Sequence, residues 1–189
     1  MYSHNPVYLS RISDTVTHVK GKLKRISFFR VDLRFPLNST PYRNDSKVIT
    51  RFIESLKSKI KYDIKRKSQL WGRTLVDDLD YIWVREVGDI NNNTHYHVAL
   101  LLNKDIYYSF GDFNEVGNLA NLISQAWCSA LNIQPHSGLV NFAWRDHLDQ
   151  NKVDSDIKLS SIMQNLSYLA KDHTKRYHDG YRSFGCSTK

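Results

Sequence analysis

The stretch from Arg85 to Leu102 restricts this chain more than any other. In it His95-Tyr96-His97 runs directly into Val98-Ala99-Leu100-Leu101-Leu102. An apolar run of this kind suits a strand covered on both faces, in the middle of a sheet rather than at its rim. Strand side chains alternate, so His95 and His97 share one face while Tyr96 points to the other. Upstream, Tyr81 to Val87 is a second β-rich run, and Gly88 to Thr94, crowded with Asn and Asp, reads as a polar turn between two strands of a hairpin. With that turn centred near Ile90, Glu86 falls opposite His95, close enough for one carboxylate and two imidazoles to share a cation. Glu86, His95 and His97 would leave coordination positions open, as a catalytic divalent ion needs. A closed structural zinc site takes four ligands, usually with cysteines. The alternative is a hydrogen-bonded pair of ordinary histidines, and it is Glu86, in this assumed register, that favours the metal.

A chain of 189 residues supports one domain with a real core. Residues 1–23 are expected as an N-terminal arm or a short leading helix, and residues 24–189 as a single domain. Cys128 and Cys186 are too few and too far apart for a disulfide framework or a zinc ribbon. No apolar run reaches membrane-spanning length, and Met1 to Pro6 lacks the features of a secretory signal, so no membrane partner and a cytoplasmic location are expected. The net charge of +8 favours an anionic partner, with nucleic acid the first candidate. The excess lies early, from Lys20 to Lys67. Arg25, Arg30, Arg34, Lys65, Arg66 and Lys67, joined later by Lys175, are the candidate phosphate contacts, against the plainer reading of a solvated basic surface.

Phe29, Val31, Leu33 and Phe35 alternate with Arg30, Asp32 and Arg34, which marks a half-buried strand stopped by Pro36. Asn44, Asp45 or Ser46 can cap a helix that buries Val48, Ile49, Phe52, Ile53, Leu56, Ile60 and Ile64. Lys104 to Asn114 reads as a short strand and loop, whose Tyr107, Tyr108, Phe110 and Phe113 are core residues or stacking platforms for unpaired bases. A helix over Val116 to Leu131, a strand over Leu139 to Trp144, and a last helix from Asp154 or Ser155 through Lys171 complete the chain. Hairpin connections make the sheet mainly antiparallel with helices packed on it, an α+β class.

In the last helix Leu159, Ile162, Met163, Leu166, Leu169 and Ala170 form an apolar stripe. Tyr168 falls nearly opposite it, beside Gln164, Lys171 and Lys175. A tyrosine there is either an ordinary surface residue or a functional one, with Lys171 near enough to steady a phenolate or a phosphate. If the stripe packs on the sheet, Tyr168 can reach the histidines only from the helix's edge or from a second helix layer.

Glu86, then His95-Tyr96-His97, then Tyr168-Leu169-Ala170-Lys171-Asp172, in that order, resembles the rolling-circle replication initiators of the HUH endonuclease superfamily. More closely, Arg30-Val31-Asp32-Leu33-Arg34-Phe35-Pro36, Tyr168-Leu169-Ala170-Lys171 and Arg182-Ser183-Phe184-Gly185-Cys186-Ser187 are similar to the YagK/YfjJ family of prophage and inovirus replication proteins, over about residues 25–187. The resemblance implies an HUH-type fold with Glu86, His95 and His97 holding Mg²⁺ or Mn²⁺. It also implies Tyr168 as nucleophile, Lys171 as its cationic neighbour, and a 5′-phosphotyrosyl intermediate. Tyr177 and Tyr181 lie near enough in sequence to be rivals. There is no phosphate-binding loop of the Gly-x-x-x-x-Gly-Lys-Ser/Thr type, so a separate helicase and polymerase are the expected partners, beside single-stranded or hairpin origin DNA.

Three readings follow. The first is metal-dependent nicking and joining of single-stranded DNA, in which the tyrosine, ordinarily titrating near pH 10, needs neighbouring cations to act. The second is a non-catalytic DNA-binding protein on the same scaffold. The third is a hydrolytic nuclease whose ion activates water.

Overall fold

The structure is a computed structural model. It describes residues 3–187 apart from 38–40, 89–92, 114, 173–174 and 178. Five antiparallel strands form one sheet in the order β4-β1-β3-β2-β5. These are β1 (Arg25–Arg34), β2 (Asp80–Val87), β3 (Thr94–Asn103), β4 (Val140–Asp149) and β5 (Phe184–Cys186). Helices α2 (Val48–Leu70) and α3 (Leu119–Leu131) cover one face, and α1 (Pro6–Lys22) and α4 (Ser155–Ser167) cover the other. The α+β class and the antiparallel sheet agree with the sequence pattern. The hairpin turn placed at Ile90 lies outside the described residues.

The alternation along β3 splits the core in two. Tyr96, Val98, Leu100 and Leu102 join Phe29, Val31 and Leu33 of β1 under α2 and α3. Ala99 and Leu101 join Ile26, Phe28, Ile82 and Val84 under α1 and α4. The apolar run is therefore buried on both sides because the sheet is sandwiched, as its composition requires. The same covering corrects the reading of β1 as half-buried. Its second face lies under α1 and α4, Phe28 and Ile26 are fully enclosed, and Asp32 is buried.

Residues 6–22 form a 17-residue helix started by Asn5, whose side chain accepts from the amides of Val7 and Tyr8, with Pro6 in the first turn. Ile12, Val16 and Val19 enter the same cluster as Phe28 and Leu166, so the boundary expected near residue 24 separates two elements of one core. The apolar positions foreseen for α2 are all buried. Its N-cap is Lys47, with no side-chain cap bond, while the Asp45 carboxylate accepts from the Lys47 amide just ahead of it. Lys104 to Phe113 forms turns and no strand, burying Tyr107 and Phe110 and exposing Tyr108 and Phe113. Helix α3 starts at Leu119 rather than Val116 because Asn118 caps it, and β4 extends five residues past Trp144.

The last helix ends earlier than its periodicity suggests. Helix α4 stops at Ser167, Tyr168–Ala170 is a 3₁₀ turn, and Lys171 has extended backbone. The cause lies at the other end of the chain. The Asn5 amide donates to the Ala170 carbonyl and the Asp172 amide to the Ser3 carbonyl, so the leading segment takes up backbone groups that a longer helix would have used.

Candidate metal centre and its tyrosine

Glu86 pairs directly with His95 across the β2–β3 ladder, and His97 follows on the same face. The Glu86 Oε2 atom lies 3.3 Å from His97 Nε2 and 3.8 Å from His95 Nε2. One donor atom from each of the three residues falls within 4.8 Å of the others. Ligands held about 2.1 Å from one ion stand about 3 to 3.5 Å apart, so the widest pair of this cluster would close by about 1 to 2 Å on chelating a divalent cation. Two nitrogens and a carboxylate oxygen suit such an ion, and they leave positions for water or a phosphate oxygen.

A second carboxylate completes the site from β1. Asp32 pairs with His97 on the sheet, and its Oδ1 lies 2.5 Å from His97 Nδ1, while Oδ2 accepts from Asn141 of β4 at 3.1 Å. Burial would raise the Asp32 carboxyl, but the hydrogen bond and charge of His97, with Asn141 and Arg30, outweigh it and hold the group down at about 2. Burial likewise opposes charging of His97, yet Asp32 and Glu86 raise it above the ordinary histidine range. Burial and the neighbouring His97 lower His95. A carboxylate accepts only, so His97 Nδ1 carries a proton toward Asp32, and Nε2, which faces Glu86, is the nitrogen that would serve an ion by giving up its own proton. The sequence reading placed Asp32 on a solvent face. Its signal was the spacing Arg30-x-Asp32-x-Arg34 on a strand too apolar to be one-sided.

Lys175 approaches Glu86 from the other side. Its Nζ lies 3.4 Å from Oε1 and also donates to the Lys171 carbonyl, and its side chain has no exposed surface. Desolvation lowers its pKa despite Glu86. Read from sequence as a DNA contact, Lys175 is corrected to a buried partner of the candidate metal ligand, because its ammonium is enclosed against the Glu86 carboxylate and away from solvent.

Tyr168 reaches the cluster from the 3₁₀ turn at the end of α4. Its ring stands edge-on to His97 at 5.9 Å, with Lys171 Nζ 3.6 Å and the Arg30 guanidinium 4.5 Å from its centroid. It is 37% exposed, so the phenol can meet a substrate. Leu169 and Ala170 are buried beside it, which lets the apolar stripe pack on the sheet while Tyr168 emerges at the edge. The rival tyrosines lie elsewhere. Tyr177 donates to Asp172 at 2.9 Å and contacts Asn5, and Tyr181 packs on Arg85, which belongs to the opposite face of the sheet.

The basic residues do not form one stripe. Arg30 joins the tyrosine, and Arg34 is exposed beside a cleft that also reaches His95 and His97. Arg25 pairs with Asp105. On α2, across the sheet from the histidines, Arg66 and Lys67 both bind the buried Asp63, and Lys65 is exposed.

An α+β sandwich with a two-histidine, one-carboxylate cluster and an adjacent tyrosine is thus the class that fold and site define. The chain belongs to the family described as the YagK/YfjJ C-terminal domain, whose model matches residues 2–187. It is 35% identical to YagK of Escherichia coli strain K12, over 95% of this chain and 91% of that one. It is also 35% identical to YfjJ of the same strain, over 98% and 95% respectively. Both relatives are described as uncharacterized. A solved structure of the N-terminal nuclease domain of Minute virus of mice non-structural protein 1 matches 92% of this chain and 78% of that one. Its TM-score is 0.29 and its identity 14%, too slight a likeness to transfer anything. Among the described residues no helix is long and apolar enough to cross a membrane.

Proposed function

We infer that this protein is a metal-dependent nickase and strand transferase for single-stranded origin DNA, acting in rolling-circle replication of a phage, prophage or plasmid. The observation that carries the reading is the 5.9 Å approach of the Tyr168 ring, which Arg30 and Lys171 also contact, to His97, the imidazole that clusters with Glu86 and His95. The three ligands would hold Mg²⁺ or Mn²⁺, which when bound polarises a phosphate oxygen and offsets charge developing in the transition state.

The chain's own groups do the rest. The Tyr168 hydroxyl oxygen attacks the scissile phosphorus and gives up its proton. The new oxygen–phosphorus bond replaces the bond to the 3′-oxygen, which takes a proton and leaves as a free 3′-hydroxyl, and the 5′ end stays on the tyrosine. Joining reverses the step: an acceptor 3′-hydroxyl attacks and expels Tyr168, so bond energy is conserved and no nucleotide cofactor is consumed. Lys171 and Arg30 stand where they offset negative charge on the phenolate and on the phosphate it attacks. Asp32 fixes the ring of His97, and Lys175 holds one oxygen of Glu86.

The test is incubation with Mn²⁺ and a labelled single-stranded library containing the element's origin, followed by a denaturing gel and peptide mapping. The expected result is a covalent adduct at Tyr168 that does not form when chelator is present from the start and that Tyr168→Phe abolishes while DNA binding persists. Cleavage without an adduct would assign a hydrolytic nuclease instead, and binding without cleavage a DNA-binding protein.

A further inference from the structure

The cleft beside the histidines plays no part in the chemistry above. It measures about 1110 Å³ and runs from Asp32, His95 and His97 out between the end of β1 and the loop joining α3 to β4. Tyr168 does not line it, and His97, which does, is the residue the cleft shares with the tyrosine's surroundings. A strand lying in the cleft would therefore reach two of the three candidate metal ligands, His95 and His97.

Its walls are unlike a phosphate track. Among the described residues that line it, Arg34 alone carries a fixed positive charge, and Asp32 offsets it, on a chain whose net charge is +8. A groove that followed the backbone would be lined by lysine and arginine. Instead the cleft presents side-chain amides from Asn44, Asn132 and Gln134, together with His136, all exposed. Amides offer a donor and an acceptor side by side, which is what the edge of a nucleobase matches. Tyr42, half-buried and packed against Phe35 at 5.6 Å, supplies an aromatic wall.

We propose that this cleft holds an unpaired nucleotide next to the scissile phosphate and selects its base through Asn132 and Gln134, with Tyr42 as the stacking surface. The inference rests on the nicking reading and names its substrate: a base whose Watson–Crick edge is free to meet the amides, hence single-stranded or extruded DNA, since pairing occupies that edge.

The experiment separates the two. The full chain is bound, in chelator, to a random-sequence pool of single-stranded oligonucleotides, and the retained fraction is sequenced. The comparison is with Asn132→Gly combined with Gln134→Ala, and with Tyr42→Ala. Glycine is chosen at 132 because Asn132 caps α3 at φ 57°, a conformation glycine accepts without strain, so the amide goes and the turn stays. The wild type should select a fixed base at one or more positions. The double variant should lose that preference, by about tenfold in affinity for the selected sequence, with an unchanged salt dependence. Tyr42→Ala should weaken all sequences alike. An unchanged selection in the double variant, or no selection by the wild type, overturns the proposal. Selection that depends on the cleft, with no adduct in Mn²⁺, would instead overturn the nicking reading and leave the base-reading cleft standing.

Discussion

Asp32 and His97 face each other across the two central strands with 2.5 Å between Oδ1 and Nδ1, and the other Asp32 oxygen is taken by Asn141. The carboxylate thereby sets both the tautomer and the orientation of the imidazole that looks toward Glu86. Removing such a partner typically costs about 10- to 100-fold in metal affinity. Asp32→Ala should therefore weaken Mn²⁺ binding by about that factor, read by titration calorimetry. Asp32→Asn, which can still accept from Nδ1, should fall between the variant and the wild type. Equal affinity in all three proteins would remove Asp32 from the site.

Lys175 predicts an effect of opposite sign. Its buried ammonium shares Glu86 with the histidines, so it neutralises the carboxylate when no cation is bound and repels one that arrives. Lys175→Met should bind Mn²⁺ several-fold more tightly. The same variant without metal should be less stable, because Glu86 loses a buried partner. The rise in melting temperature on adding Mn²⁺ should accordingly exceed that of the wild type, as binding linkage requires. A smaller rise would show that the lysine assists the ion rather than competing with it.

The sequence made the histidine strand legible because alternation and burial coincide there. Val98 to Leu102, apolar on both faces, suited an interior strand, and the observed register puts Glu86 opposite His95. Tyr168 was legible as an outlier from an apolar stripe, but its route to the histidines was not, since that depends on backbone bonds from Ser3 and Asn5 to Asp172 and Ala170. No local signal announces a partner over 160 residues away. Helix α1 did carry a signal in Asn5-Pro6 followed by Ile12, Val16 and Val19 at helical spacing, and weak overall amphipathicity obscured it. Strand β5 is only Phe184–Cys186, too short for periodicity to register. Lys175 misled because composition cannot distinguish a solvated lysine from one that neutralises a buried carboxylate.

Gly185 explains why that short strand tolerates so little. A Cβ there would stand 2.6 Å from the ring of Trp83, which β5 crosses as it pairs with β2. Trp83 is itself buried under Tyr96 and cannot yield cheaply. Gly185→Ala should destabilise the fold by about 1 to 3 kcal/mol, measured by urea unfolding, and should loosen the edge of the sheet next to Glu86. A variant as stable as the wild type would mean that the strand shifts without cost.

Asp77 gives a prediction in pH. Its carboxylate accepts from the Asn103 amide at 2.9 Å. Burial, helped by the charges of Asp78 and Asp80 and opposed by backbone hydrogen bonds, raises the group from 3.8 to about 7. The folded protein then holds a proton that the unfolded chain has released across the interval from about pH 4 to pH 7. Stability from this group is present in full below that interval and is lost as pH rises through it, at no more than about 1.4 kcal/mol per pH unit for one proton. Asp77→Asn keeps an acceptor for Asn103 and has no proton to lose. The difference in unfolding free energy between variant and wild type should therefore shift in the variant's favour from about pH 4 to pH 7 and then level off. Subtracting the two curves cancels the histidines and the other carboxylates. A difference that stays flat across the interval would place the Asp77 carboxyl in its ordinary range and its side chain in contact with water.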